Sequence, residues 1–234
     1  MTYVGSKRRI AKKILPIMLK ERKENQYWVE PFVGGGNMID KVEGKRIGSD
    51  VNPYVIEALK AIRDHVDELP KNNKEFTEEM YYKVKKGEMD YKFKGYIGFV
   101  ASYGGIWFSS WAKNKANRDY IAKAYRNAQM QSPLLQGVEL YCCSYDELEI
   151  PDNSLIYCDP PYANTRGYKN SGEFSHTKFW DWCRKKANEG HTIFVSEYNA
   201  PEDFECIWEQ EITTGFKKQT KCIKAKEKLF KYNG

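Results

Sequence analysis

The chain has 234 residues, enough for one large domain or for a domain carrying a sizeable insertion. Aromatic residues make up 15% of it, which supplies a packed core and excludes an intrinsically disordered chain. A net charge of +6 fits either a polyanionic partner or a solvated lysine surface, and no run approaches the ~18 apolar residues of a membrane helix.

Residues 1–9 are basic without an apolar stretch behind them, so they do not read as a secretion signal, and a cytoplasmic protein is expected. Residues 26–30 predict a strand closed by Pro31-Phe32-Val33-Gly34-Gly35-Gly36. Residues 45–49 predict a second strand ending in Asp50. Asn52 then caps a helix with Pro53 at its first position, running to about His65. Strand, glycine turn, helix, strand and acid open a doubly wound α/β sheet.

The strand pattern stops over residues 66–133, which read as a helical, polar-aromatic insertion. Thr77 caps a helix there, with Glu78 and Glu79 in its first turn and Gly87 past its end. Residues 95–120 are dense in glycine, aromatic and basic side chains. Strands resume at residues 138–142, 154–158, 191–196 and 206–212, and residues 177–188 predict a helix stopped by Gly190. The expected organisation is an α/β domain of residues 1–65 and 134–234 interrupted by the insertion 66–133. The basic tail 217–231 reads as a solvated edge strand with phosphate contacts.

Three features carry chemistry. Gly34-Gly35-Gly36 lets backbone approach a ligand, although it is neither Gly-x-Gly-x-x-Gly nor a Walker loop, and such turns are also simply tight. Asp50 stands where doubly wound sheets place an acid for ribose hydroxyls. Asp159-Pro160-Pro161-Tyr162 leaves a buried strand with an acceptor and a stacking face, the parts needed to hold a flat base and draw on its amine. The six cysteines (142, 143, 158, 183, 206 and 222) form no Cys-x-x-Cys pair and have no histidine at ligand spacing, so no metal is expected and all six read as small core residues. His65 near a helix end, His176 in a loop and His191 at a strand start are not expected to be catalytic.

Tyr3-Val4-Gly5-Ser6-Lys7, Val29-Glu30-Pro31-Phe32-Val33-Gly34-Gly35-Gly36, Asp50-Val51-Asn52-Pro53 and Asp159-Pro160-Pro161-Tyr162 occur in the order found in Dam-type DNA adenine-N6 methyltransferases, phage-type members above all. The resemblance covers essentially the whole chain. It implies a Rossmann-like α/β fold, S-adenosylmethionine as cofactor, double-stranded DNA as partner and residues 66–133 as the target-recognition insertion. By position, Phe32, Gly34 and Gly36 would line the methionine part of the cofactor, and Asp50 would take the ribose hydroxyls. Tyr145 would cover its adenine, unless it is an ordinary half-buried tyrosine. Tyr3 and Lys7 resemble the N-terminal element that reaches cofactor and DNA, although Lys7-Arg8-Arg9 also fits a solvated turn.

Asp159 and the Pro160 carbonyl would accept the two N6 hydrogens and localise the nitrogen lone pair, while Tyr162 stacks on the base. The base must leave the duplex to get there. In the insertion, Trp107 or Phe108 is either a wedge for the flipped base's gap or part of a buried aromatic cluster. Lys113 and Arg118 suit phosphates, Arg118 also a guanine edge, and Arg166 sits in a loop that is either a mobile lid or ordinary surface. GATC is the target sequence the resemblance implies. Cytosine-N4 methylation, whose enzymes more often resemble Ser-Pro-Pro-Tyr, and a catalytically silent DNA-binding module are the alternatives. Oligomeric state is open.

Overall fold

The computed structural model describes residues 1–113, 118–162, 174–214 and 223–234. Strands β1 (Trp28–Glu30), β2 (Arg46–Ser49), β3 (Val138–Tyr141), β4 (Leu155–Cys158) and β5 (Thr192–Glu197) run parallel. Two long strands, β6 (Phe204–Thr214) and β7 (Ile223–Tyr232), complete a seven-stranded sheet of order β3-β2-β1-β4-β5-β7-β6. β7 is antiparallel to both its neighbours.

Every residue of β1 and β4 is buried, the continuous apolar pattern of a strand covered on both faces. Their side chains alternate between two cores. Trp28, Leu155 and Tyr157 join the larger one, whereas Val29, Ile156 and Cys158 join the smaller. The larger core is closed by α1 (Ala11–Leu19), α2 (Pro53–Asp64), α3 (Glu78–Lys86), α4 (Lys94–Val100) and α5 (Tyr120–Leu135). The smaller one is closed by α6 (His176–Asn188) through Phe179, Trp180, Trp182 and Cys183. At the β1–β4 boundary the strand order reverses direction, and the crevice beyond the carboxyl ends of such strands is where doubly wound sheets bind ligands.

The helix starts follow from side chains that satisfy orphan N–H groups. Asn52 Oδ1 accepts from Tyr54 N–H at 3.1 Å with Pro53 at the first helical position, and Thr77 Oγ1 accepts from Met80 N–H at 3.2 Å. Gly87 ends α3 at φ 77°, the left-handed cap expected of it. Asp119 takes both Ala122 N–H (2.7 Å) and, across the insertion, Asn73 N–H (3.0 Å). Among the described residues no helix is long and apolar enough to cross a membrane.

Four expectations change. The basic tail is not an edge strand: β7 lies between β5 and β6, because Leu229 and Phe230 are buried one on each core and both of its backbone edges are paired. The edge is β6. Cys142 and Cys206 are exposed rather than in the core, since one follows the open face of edge strand β3 and the other lies at the bulge of β6. Cys158 and Cys183 are buried as expected, Cys143 is half-buried and Cys222 lies outside the described residues. His176 opens α6 instead of lying in a loop. Finally, the boundary placed at residue 133 falls inside α5, and the insertion's Phe76, Tyr81 and Phe99 share one continuous core with Trp28 and Tyr157 of the sheet.

Candidate active site

Three acidic residues stand at the carboxyl ends of adjacent central strands: Glu30 ends β1, Asp50 follows β2 and Asp159 follows β4. The glycine turn between the first two is built by Val33 N–H donating to Ser49 O at 2.8 Å and Gly36 N–H to Val33 O at 2.9 Å. Gly34 and Gly36 hold φ of 47° and 65°, in the left-handed region that any Cβ strains. The turn is also packed from outside. A Cβ on Gly35 would sit 2.8 Å from Tyr3 Cβ, and one on Gly34 would sit 3.0 Å from the Tyr3 ring. Tyr3 is thus placed against the turn.

Asp50 closes the turn from the other side. Its Oδ2 accepts from Gly34 N–H at 3.2 Å and its Oδ1 from Asn52 N–H at 2.9 Å. Burial pushes its carboxyl up from 3.8 to about 6, and the two backbone donors only partly oppose that. A buried acid with only two backbone donors gains from further donors such as vicinal hydroxyls.

Phe32 and Tyr145, expected at opposite ends of a cofactor, are stacked on each other with ring centroids 5.4 Å apart. Phe179 lies against both at 5.7 Å, and Phe174 at 5.9 Å. With no room for a ring between them, the pair forms a single aromatic wall rather than two jaws. Phe174 and Phe179 were missed because an aromatic before a helix and one inside it look like ordinary packing.

Asp159 is the centre of a charged cluster. Lys7, placed by a 3-10 turn (Lys7–Arg9) whose Arg8 N–H donates to Ser6 Oγ, puts its ammonium 2.8 Å from Asp159 Oδ1. The same nitrogen donates to Gly5 O at 3.3 Å, lies 3.9 Å from Glu227 Oε2 and sits 4.5 Å from the centre of the Tyr162 ring. Tyr162 O–H donates to Glu227 Oε2 at 2.7 Å, and Tyr198 meets the Tyr162 ring edge-on at 4.6 Å. Lys7 is therefore a buried member of the site and not a solvated turn.

Burial pushes the Asp159 carboxyl up; the Lys7 charge and hydrogen bond pull it down, Glu227 raises it, and a hydrogen bond from Tyr162 lowers it. For Lys7 burial pulls down, but Asp159 and Glu227 outweigh it and leave the amine above its ordinary value. The outcome is an ammonium fixed between two carboxylates, with the Asp159 side chain still 20% exposed and able to accept from a ligand. Glu30, 2% exposed, takes Trp28 Nε1–H at 2.7 Å and is pushed well up by burial. Of these residues, sequence reasoning gave no role to Glu30, Tyr198 or Glu227. Glu227 stands in a lysine-rich strand where an acid looks solvated, and only pairing of β7 with β5 brings it here.

In the insertion, Trp107 stacks on Tyr54 with centroids 4.2 Å apart and packs over Gly98, where a Cβ would fall 2.2 Å from the indole. Phe108 is buried beside Tyr81 at 5.2 Å, and its N–H donates to Gly98 O at 2.9 Å. In this conformation both belong to the aromatic core and neither is free to act as a wedge. Lys113 is exposed and pairs with Glu78 at 3.1 Å, and Arg118 is exposed just ahead of the Asp119 cap. Arg166 and most of its loop lie outside the described residues. Among the described residues no group of three or more His, Cys, Asp or Glu could hold a metal ion.

The chain is similar to the type II methyltransferase M.FokI of Planomicrobium okeanokoites, with 26% identity over 79% of this chain and 31% of that protein. It is also similar to the modification methylase StsI of Streptococcus sanguinis, with 24% identity over 78% of this chain and 31% of that one. It thus spans about a third of the length of these relatives. The crystal structure of SMU.472, a putative methyltransferase complexed with SAH, aligns with 98% of this chain and 53% of its own at 10% identity. Its TM-score of 0.35 is too low to carry any argument. The family model for D12 class N6 adenine-specific DNA methyltransferases matches residues 3–212, and the chain belongs to that family.

Proposed function

We propose that the chain transfers a methyl group from S-adenosylmethionine to N6 of an adenine in duplex DNA. The observation that carries this reading is Asp159: a partly exposed carboxyl at the end of β4, salt-bridged to a buried lysine and followed along the chain by the Pro160 carbonyl and Tyr162. The residues beside it suit the donor. A glycine turn that admits no Cβ, an acid that ionises at about 6 and an aromatic wall fit a backbone-bound amino acid, a ribose and a purine in turn.

When bound, S-adenosylmethionine supplies an electrophilic methyl, whose bond to N6 forms as its bond to sulfur breaks and leaves that electron pair on sulfur. The chain's part is to prepare the nitrogen. An adenine amine is a poor nucleophile because its lone pair is delocalised into the ring. Asp159 and the Pro160 carbonyl, accepting its two hydrogens, favour a pyramidal nitrogen with the pair localised, a stabilisation that grows toward the transition state. Tyr162, its ring fixed by Lys7 and Tyr198, offers the base an aromatic neighbour. Orientation of nitrogen against methyl supplies much of the remaining acceleration. The proton leaves for water afterwards, since methylation makes the amine acidic.

An adenine amine inside a duplex cannot reach this recess, so the base swings out before reaction. Residues 66–133 read the target, with exposed Lys113 and Arg118 on the phosphates or a base edge, and GATC is the sequence favoured by the resemblance. The test is label transfer from S-adenosylmethionine to unmethylated duplexes with and without GATC, followed by digestion to nucleosides. N6-methyladenine is expected. N4-methylcytosine would overturn the base assignment, and cofactor binding without transfer would leave a DNA-binding module. Asp159→Ala should keep cofactor binding and lose nearly all turnover; a wild-type kcat in that variant refutes the mechanism.

A further inference from the structure

The cluster around Asp159 contains one group that the reaction as just described does not use. Glu227 comes from β7, the antiparallel strand that the β5 ladder sets beside the site through the pairing of Glu197 with Lys228. It is flanked along the strand by Lys226 and Lys228, yet its carboxylate is turned inward and only 8% exposed. Inside, it accepts from the Tyr162 hydroxyl at 2.7 Å and faces the Lys7 ammonium at 3.9 Å. A carboxylate so placed is retained at the expense of its hydration, and nothing in the packing of β7 requires it: the neighbouring inward positions are Leu229 and Phe230.

We propose that Glu227 is a positioning residue for methyl transfer, holding Tyr162 by its hydroxyl and Lys7 by its charge so that Asp159 is left open to the target amine. The inference rests on the methyl-transfer reading above. Two consequences follow from the geometry. First, Lys7 occupies Asp159 Oδ1, one of the two oxygens that could accept from an incoming amine. With a second anion beside it the ammonium can lean toward Glu227 as the base arrives, and Asp159 stays ionised without having its acceptor sites filled. Secondly, Asp159, Glu227 and Lys7 together carry one net negative charge. Positive charge develops on N6 as the N–C bond forms, before its proton is lost to water, and a cluster of net −1 in a water-poor recess favours it. Replacing Glu227 by a neutral acceptor leaves the cluster neutral.

The groups facing Asp159 are Lys7 from the N-terminal turn, Glu30 from β1, Tyr157 and Tyr162 from β4 and its extension, Tyr198 beyond β5 and Glu227 from β7. Among them Glu227 raises the Asp159 carboxyl by repulsion. Removing its charge therefore lets Asp159 ionise at lower pH; loosened packing would hydrate Asp159 and shift it the same way, so a charge-restoring variant is needed to separate the two.

Glu227→Gln tests this directly, because the amide oxygen can still accept from Tyr162 while the charge is gone. In steady-state methylation of adenine-containing duplex, kcat should fall roughly ten- to a hundredfold, with cofactor Kd and DNA KM within about threefold of wild type. The acid limb of the kcat/KM profile should move to lower pH. Glu227→Asp, which restores the charge one methylene short, should recover part of kcat and return the limb toward its wild-type place. A Gln variant with wild-type kcat and an unmoved limb overturns the proposal, as does an Asp variant no better than Gln. Should the Gln variant fold poorly by thermal melting, the Asp variant alone decides: with the charge kept and displaced, the limb should stay near its wild-type place while kcat falls, and a wild-type kcat overturns the proposal. If the wild-type protein itself fails to methylate adenine, the functional reading falls and this inference with it, whereas a Gln variant as active as an active wild type overturns the inference alone.

Discussion

Replacing Asp50 by Asn should make the cofactor-free protein more stable and its hold on the cofactor weaker. Burial raises the Asp50 carboxyl from 3.8 to about 6. The folded state therefore keeps a proton that the unfolded chain releases. The carboxyl's contribution is whole below the unfolded value, is lost as pH rises through the window from 3.8 to about 6, and is a full penalty above it. A rise of roughly two pH units corresponds to about 3 kcal/mol, which partial exposure of the group brings toward about 2. Asn keeps one acceptor atom for two N–H donors, those of Gly34 and Asn52. The N–H left over costs about 1 kcal/mol, so the net gain at neutral pH is about 1 kcal/mol, or about 2–4 °C in Tm for a chain this size. Cofactor affinity moves the other way, since losing charge-assisted bonds to ribose hydroxyls weakens it about 10- to 150-fold. Thermal melts across the acid range, with and without S-adenosylmethionine, measure both. The stability advantage should shrink as pH falls through the window, and the wild-type affinity should weaken over the same window while the variant's stays flat. An advantage independent of pH, or a variant less stable than wild type at neutral pH, refutes the reasoning.

Gly98→Ala should expel Trp107 from its stack on Tyr54, because the new Cβ would fall 2.2 Å from the indole. The expected loss is about 1–3 kcal/mol in denaturant melts with a red-shifted tryptophan emission, and an unchanged spectrum would mean the insertion core is not packed this way. Lys7→Gln removes the charge that holds the Asp159 carboxyl down against burial. The acid limb of kcat/KM should then move to higher pH, opposite to the shift expected of Glu227→Gln, and a limb that stays in place would separate Lys7 from the ionisation of Asp159.

Short-range order made much of this fold readable. The central strands announce themselves as apolar runs ending in an acid, and Asn52-Pro53, Thr77 and Gly87 mark helix ends because each solves a local hydrogen-bond or dihedral problem. What failed was whatever depends on pairing at long range. β7 alternates lysine with other residues, a pattern shared by a solvated edge and by a paired strand whose lysine stems run along the surface; its position was fixed by two partners remote in sequence. The aromatic turn 103–111 had the composition of a DNA wedge and of a small core alike. Gly98, in the last turn of α4, leaves the indole a place to lie in the core. Asp159, Asp50 and Lys7 were legible because they sit in motifs, whereas Glu227 has no motif, only a neighbourhood.

One side chain ties the insertion to the glycine turn. Tyr3 lies with its Cβ against Gly35 and its ring against Gly34, and the same ring meets Phe99 of α4 edge-on at 5.3 Å. On its backbone side Gly105 comes so close that a Cβ there would fall 3.0 Å from Tyr3 N and Cα. Insertion, N-terminal segment and glycine turn thus meet without slack at a residue four positions before Lys7. A close-packed contact of this kind transmits displacement instead of absorbing it. Any displacement of the 103–111 turn would shift Tyr3, and with it both the wall of the glycine turn and the segment leading to the 3-10 turn from which Lys7 reaches Asp159. The insertion therefore shares a scaffold with the cluster around Asp159, as a lobe of the same core and not a module hung from it.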